Sequence, residues 1–367
     1  MTDSPYSEPV IFELFPRLRD RIPWTPIGSF PTPVQECESL AGAIGADRVF
    51  IKRDDLSNAQ YGGNKVRKLE FLIAHAQKMN FKKLITLGGI GSNHLLATTI
   101  HGAAHGMDTI GCVVPQPVDA HVKKNLLLYA HFGTELHLCP SAAAIPARML
   151  EVIAASTVKG APPYFVPGGG SSAVGVLGYI NAAFELKRQI EQGALPEPDV
   201  IFVANGSSGT SSGLAAGCRA AGLKSQVMAV RVAEWYMANK FTQAQLATFA
   251  VARLRAADPA FPFHVFMPQD MTLRSEFFGG EYGRHTEQGN EAVDMLREHA
   301  GLKLEGVYTG KAAAAMIADA RAGKLHGKTA LYWHTFSSAD FSDIVNNQDY
   351  HELPEEFHKF FEQPEDM

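Results

Sequence analysis

The feature that most constrains this chain is the regular alternation of short apolar runs with helical segments. From residue 84 it reads as strand 84–87, helix 92–105, strand 109–114, helix 122–132, strand 135–138, helix 142–155 and strand 164–166. The same order returns as helix 176–192, strand 199–204, a loop at 206–213 entering a helix that runs to 221, and strand 226–231. A helix at 287–300 and a last strand at 328–333 follow. Strand, helix and strand joined this tightly predict parallel βαβ units. Upstream, 48–52 reads as a strand, and 65–79 as a helix with Val66, Leu69, Phe71, Leu72 and His75 near helical spacing. The first stretch carries Pro16, Pro23, Pro26, Pro31 and Pro33 and predicts an extended arm. The acidic tail at 352–367 reads as a surface helix or a frayed end.

A length of 367 residues fits two domains at ~150 residues each. A net charge of -5, with no basic run, gives no expectation of nucleic acid or an anionic membrane as partner. No apolar run is long enough to span a bilayer, and the polar start predicts no secretory signal. Cys37, Cys112, Cys139 and Cys218 form no C-x-x-C pair, which fits reduced thiols in a cytoplasm.

Three segments carry candidate chemistry. Lys52-Arg-Asp-Asp55 leads through Tyr61-Gly-Gly-Asn64 to Lys65 at a helix start. Arg67, Lys68 and the helix dipole are expected to lower the pKa of Lys65, freeing its amine to form an imine with an aldehyde. The same residues also read as a solvated basic helix start behind a turn. Gly88-Gly-Ile-Gly-Ser-Asn-His94 runs from a strand into a helix N-terminus suited to a carboxylate or phenolate oxygen. Ser92 there reads equally well as an ordinary N-cap. Asn205-Gly-Ser-Ser-Gly-Thr-Ser-Ser-Gly213 offers amides and hydroxyls to a phosphate, or is simply a flexible loop. It lacks the closing Gly-Lys of a P-loop, which argues against ATP. Tyr282 and Tyr308 sit beside glycines, where a tyrosine packs or donates a proton. His101 and His105 are four apart without a third ligand, so helix packing is the reading and no metal is expected.

Together, 51–56, 62–70, 88–94, 206–213, 281–284 and 307–312 resemble the 1-aminocyclopropane-1-carboxylate deaminase/D-cysteine desulfhydrase family, in family order. The resemblance implies the tryptophan-synthase-β-like fold (fold type II) of pyridoxal-phosphate enzymes, with two open twisted α/β domains and the cofactor between them. It implies a large discontinuous domain at 1–67 and 173–367, and a small inserted one at 68–172. Lys65 would be the Schiff-base lysine, with Asn64 beside it among the cofactor contacts. Asn93 would contact the pyridoxal O3′, and Gly206, Ser207, Ser208, Gly209 and Thr210 would hold the phosphate. Ser92, Asn93 and His94 would bind the substrate carboxylate, with Ser92, Tyr282 and Tyr308 counted among the catalytic groups. Thr309 would face the pyridine nitrogen. The resemblance also implies a homodimer.

Two positions divide the family. The deaminases resemble Ser-Asn-Gln where this chain has His94, and carry glutamate where it has Thr309. A carboxylate keeps the pyridine nitrogen protonated; a hydroxyl leaves it mostly neutral, which suits α,β-elimination of a good leaving group. The expected reaction is therefore D-cysteine to pyruvate, sulfide and ammonia, with Lys65 taking the α-proton. Deamination of 1-aminocyclopropane-1-carboxylate and removal of sulfite from L-cysteate are the alternatives within this chemistry. A pyridoxal-phosphate-binding protein with little turnover, and an α/β ligand-binding module without cofactor, are the alternatives outside it. The chain departs from the family at His334-Thr-Phe-Ser-Ser338, where His-Thr-Gly-Gly is usual, and at Glu305-Gly306, where Asp-Pro is usual. Phe336 is thereby expected to bear on substrate choice.

Overall fold

The computed structural model describes residues 7–363. In chain order the strands are β1 (Val34–Glu36), β2 (Arg48–Arg53), β3 (Lys83–Gly89), β4 (Asp108–Val114) and β5 (Glu135–Leu138). Then come β6 (Pro163–Phe165), β7 (Val200–Asn205), β8 (Gln226–Arg231), β9 (Thr272–Arg274) and β10 (Thr329–His334). The chain divides into two units, one of residues 1–71 and 171–339, the other of residues 72–170 and 340–367.

The first unit carries a six-stranded sheet in the order β1-β2-β10-β7-β8-β9. Only β1 pairs antiparallel. Its central strands are buried on both faces, as parallel sheets covered by helices must be. Val200, Phe202 and Ala204 of β7 join Ala330 and Tyr332 of β10 in one core cluster. Their alternate neighbours Ile201, Val203, Leu331 and Trp333 join another. That period of two is the strand geometry itself. The second unit has a four-stranded parallel sheet, β5-β4-β3-β6. Its core gathers Ile85, Ile110, Cys112, Ile145, Met149 and Val152.

Three expectations change. The proline-rich start is not an extended arm: Val10–Leu14 and Arg17–Arg21 are short helices. Val10, Ile11, Phe12 and Leu18 are buried in a core with Phe71, Phe184 and Leu254. The boundary at 67/68 moves to 71/72, and residues 340–363 group with the second unit rather than the first. There the Leu138 amide donates to Glu356 (3.1 Å), and Phe132 packs edge-on against Phe341. The tail is a pair of single 3-10 turns and a short helix with Phe357 and Phe360 buried; residues 364–367 lie outside those described. Among the described residues no helix is long and apolar enough to cross a membrane.

Candidate active site

β2 runs into a 3-10 turn, Asp54–Leu56, and the chain then turns through Gly62 and Gly63 into the helix Lys65–Lys78. Gly63 has φ of 92°, and its amide donates to the Asp54 carbonyl at 2.8 Å. A Cβ there would lie 2.8 Å from the Thr335 carbonyl oxygen, so both backbone conformation and space require glycine. The loop after β10 closes over this turn. The Asn64 amide donates to the Thr335 carbonyl (3.1 Å), the Gly62 amide to Ser337 Oγ (3.1 Å), and Ser338 Oγ to the Asp55 carbonyl (3.2 Å). The segment that departs from the family pattern is thus bonded directly to the lysine turn.

Lys65 Nζ donates to Asn64 Oδ1 at 2.7 Å, and Asn64 Nδ2 donates to Thr210 Oγ1 at 3.1 Å. Lysine and hydroxyl-rich loop are therefore linked through one amide. Burial pushes the Lys65 amine down to about 8, against the opposing charge of Glu305. The direction matches expectation; the cause does not. Arg67 spends its charge elsewhere, on Asp54 and Glu185 at 2.8 Å each. Lys52 donates to Glu185 at 2.6 Å, and Trp333 Nε1 and the Tyr179 hydroxyl both donate to Asp54 Oδ2 at 2.7 Å. Burial alone would raise the Asp54 carboxyl, but the charge and hydrogen bonds of Arg67 outweigh it and hold Asp54 at about 2.

β7 leads into Gly206–Ser208 and the helix Gly209–Ala221. Ser208 occupies the cap position in the left-handed region (φ 65°) and does not cap; its hydroxyl donates instead to the Met237 carbonyl at 2.8 Å. Ser208 thus leaves the first turn of this helix without a side-chain cap of its own, which suits an anion. The Gly209 amide donates to Ser171 Oγ (3.1 Å), which bonds Ser207 Oγ (2.8 Å). A Cβ on Gly209 would come within 2.3 Å of Ser171 Oγ and 3.0 Å of Lys68 Nζ. Lys68 Nζ is therefore buried against the Gly209 turn, a placement missed in the sequence. The available signal was its spacing of three from Lys65, which puts both on one helix face. Burial, then the charge of Lys65, pushes Lys68 well below its ordinary range.

Tyr308 packs on the same loop, with its Cε1 3.5 Å from where a Gly206 Cβ would be. The hydroxyls of Tyr282 and Tyr308 are hydrogen-bonded, and their rings meet edge-on at 6.0 Å. Burial raises the Tyr282 hydroxyl, with the bond to Tyr308 acting the other way. Thr309 opens the helix Thr309–Arg321, with its carbonyl accepting from the Tyr332 hydroxyl at 2.9 Å. Lys311 in that helix is also pushed to about 8 by burial, but its Nζ is committed to the Phe278 carbonyl at 2.7 Å. A lowered pKa alone does not single out Lys65; its link to the Thr210 loop does.

In the second unit, Ser92 caps the helix Asn93–Ala104 by accepting from the Leu95 amide at 3.3 Å. Asn125 Nδ2 donates to the Gly91 carbonyl (2.9 Å) and to Asn93 Oδ1 (3.2 Å), and the Tyr129 hydroxyl donates to the Ser92 carbonyl (2.7 Å). His94 is buried, with Nε2 3.1 Å from Thr86 Oγ1. His105 Nδ1 lies 2.8 Å from the His101 carbonyl, a helix-internal contact.

A half-buried lysine of lowered pKa, joined to a serine- and threonine-lined helix terminus beside a second, buried lysine, fits an aldehyde that carries a phosphate. The model of the pyridoxal-phosphate dependent enzyme family matches residues 27–335. The D-cysteine desulfhydrase of Klebsiella pneumoniae (strain 342) is 34% identical over 303 residues, 81% of this chain and 88% of its own. That of Serratia proteamaculans (strain 568) is 31% identical over 291 residues, 78% of this chain and 84% of its own. A crystal structure of a homologue of 1-aminocyclopropane-1-carboxylate (ACC) deaminase superposes with a TM-score of 0.75 at 28% identity, covering 94% of this chain and 100% of its own. The chain is a pyridoxal-phosphate-dependent enzyme of fold type II, and it belongs to the ACC deaminase/D-cysteine desulfhydrase family.

Proposed function

We propose that this enzyme catalyses α,β-elimination from a small amino acid, D-cysteine foremost, releasing pyruvate, sulfide and ammonia. The observation that carries the proposal is the half-buried Lys65 amine, its pKa lowered to about 8 and its Nζ bonded through Asn64 to Thr210. The names of the relatives supply the substrate. Pyridoxal phosphate, when bound, supplies an aldehyde carbon and an aromatic electron sink.

The chain's residues supply the rest. Lys65 would be the amine that holds that aldehyde and would serve as the base for the α-proton; a pKa of about 8 leaves it partly unprotonated near neutral pH. Gly206, Ser207, Ser208, Gly209 and Thr210 hold the phosphate, with Lys68 balancing its charge. Ser92, Asn93 and His94 at the start of their helix take a carboxylate with neutral donors and a helix terminus, and Asn93 also serves the pyridoxal O3′. The joined hydroxyls of Tyr282 and Tyr308 move a proton beside the phosphate loop. Thr309 takes the ring nitrogen.

The loop at 335–338, bonded to the lysine turn, favours a test across neighbouring substrates. Keto-acid release should be measured on D-cysteine, L-cysteine, D-serine, L-cysteate, β-chloro-D-alanine and 1-aminocyclopropane-1-carboxylate. The proposal expects D-cysteine to give a kcat/KM at or near the top. A preference for L-cysteate or the cyclopropane would reassign the substrate, and silence on all six would leave a cofactor-binding protein with little turnover.

The same reading includes a homodimer in the cytoplasm. Its support is the number of large apolar side chains the first unit exposes, among them Trp235, Tyr236, Phe241, Phe249, Phe263 and Met267. Thr248 Oγ1 ties two of these segments by accepting from the Phe266 amide at 2.9 Å. Four free, buried cysteines fit a reducing compartment. Light scattering on the eluting protein should give twice the chain mass of 39.8 kDa; a monomer would refute the dimer.

A further inference from the structure

Thr309 Oγ1 has a fully assigned set of bonds. It accepts from the Glu305 backbone amide at 3.1 Å. Its single proton has two acceptors in reach, Glu305 Oε1 at 2.9 Å and the Glu305 carbonyl at 3.2 Å. That carbonyl already accepts from the Gly310 amide at 2.8 Å, and the carboxylate is the stronger acceptor. Either way the proton points at Glu305. A hydroxyl has one proton and two lone pairs. With one lone pair on the Glu305 amide and the proton on Glu305, only a lone pair is left for any third partner. Thr309 can accept from a ligand and cannot donate to it.

Glu305 is fixed as firmly. Its side chain accepts from the amides of Val307 (2.8 Å), Tyr308 (2.9 Å) and Thr309 (2.7 Å) as well as from the Thr309 hydroxyl. These are the bonds of an acceptor-only carboxylate at a helix start. Its charge is also felt at Lys65, Tyr61, Tyr282 and Tyr332, so it is a carboxylate of the site and not only a cap.

We propose that Glu305, acting through the Thr309 hydroxyl, holds the ring nitrogen of bound pyridoxal phosphate in its protonated form. The proposal rests on the reading above that sets that nitrogen against Thr309. An aromatic N–H⁺ donates to the remaining lone pair of Thr309 Oγ1, the Thr309 proton stays on Glu305, and the pair of charges cancels. A neutral ring nitrogen would bring its own lone pair against that of the hydroxyl. Glu305 is thus a positioning residue, and it reverses the expectation that a threonine here leaves the ring neutral. The sink is stronger than the threonine alone suggests, which extends elimination to leaving groups poorer than sulfide.

The test is the nitrogen-15 resonance of the full chain loaded with cofactor labelled at the ring nitrogen. The wild type and Thr309→Ser should show the pyridinium signal. Thr309→Val and Glu305→Gln should lose it and show the free-pyridine signal. A purely capping role for Glu305 would leave the resonance unmoved in Glu305→Gln and would overturn the proposal. A free-pyridine signal in the wild type that still shifts in Thr309→Val overturns the proposal while leaving the site reading intact. A signal indifferent to Thr309→Val sinks both, because the nitrogen then lies elsewhere. Should Glu305→Gln fail to fold, the Ser and Val variants at 309, which keep the carboxylate, decide the question.

Discussion

The two units differ in what they bury. The first encloses charge: Lys52, Asp54, Arg67, Lys68, Glu70, Glu185 and Lys311 are all buried. Among the described residues, the buried polar groups of the second are Thr86, Ser92, His94, Thr98, Thr99, His101, Thr109, Asn125 and Ser156, with no Asp, Glu, Lys or Arg. Enclosed charge is costly unless paired and hydrogen-bonded. Lys52, Asp54, Arg67 and Glu185 meet that condition with one another, beneath the turn that presents Lys65. Burial pushes the amines of Lys65 and Lys68 toward the neutral form. The lesson is that one unit is built around ionisable chemistry, while the other offers neutral donors at a helix end.

The sharpest break of this contrast is Lys65→Ala. It should abolish the visible band of the bound cofactor and lower turnover by at least ~10²–10⁴-fold, the usual worth of a placed base. A band that survives would remove Lys65 from the site. Next, Asp54→Ala should cost about 3–5 kcal/mol in chemical denaturation, because buried Arg67 loses one of its two carboxylate partners and Trp333 and Tyr179 lose their acceptor. Asn125→Ala in the second unit should cost only about 1–3 kcal/mol, the loss of neutral bonds to Gly91 and Asn93. Equal costs would dissolve the distinction.

Lys68→Met should weaken cofactor binding about 10- to 100-fold in a titration of cofactor-free protein, from a charged bond worth ~1.5–3 kcal/mol. Unchanged affinity would place its ammonium away from the phosphate. Ser92→Ala should show the smallest effect on folding, about 1 kcal/mol for the lost cap of the Leu95 amide.

The contrast also has a pH signature. Asp54 is held at about 2 against 3.8 for a free side chain, so its stabilisation is full above 3.8 and is lost as pH falls through about 2. Lys65 runs the other way in consequence. The folded chain binds its proton less tightly than the unfolded one, so the group costs stability below about 8, and the cost fades as pH rises toward 10.5. Cofactor attachment followed by stopped-flow absorbance should accordingly rise through pH 8; a rise only near 10 would mean an ordinary lysine.

Much of this was legible in the sequence because it rests on periodicity and small residues. The strand at 199–204 and the helix at 287–300 were readable from local pattern, and Gly63 marked a turn that needs positive φ. The 18-residue helix Lys240–Ala257 left no such trace. Its buried face is largely alanine, Ala244, Ala247 and Ala250, while Phe241 and Phe249 are exposed, so the apolar residues do not mark one side. The buried start at Val10–Phe12 was masked by the prolines that follow it. Lys68 and Glu305 were visible as letters, but their surroundings were not. Their importance depends on burial and on contacts to Gly209 and Thr309 that only the folded chain brings about. The change of mechanism for the lowered Lys65 pKa, from neighbouring cations to burial, has the same origin.

Lys65 and Lys311 both have amines near 8, so the central claim comes down to which lysine takes the cofactor. Reduction of the loaded enzyme with borohydride fixes the attachment, and peptide mass spectrometry locates it. The account predicts the pyridoxyl-phosphate mass on the peptide containing Lys65. The same mass on Lys311 or Lys68, or on no lysine at all, would contradict it.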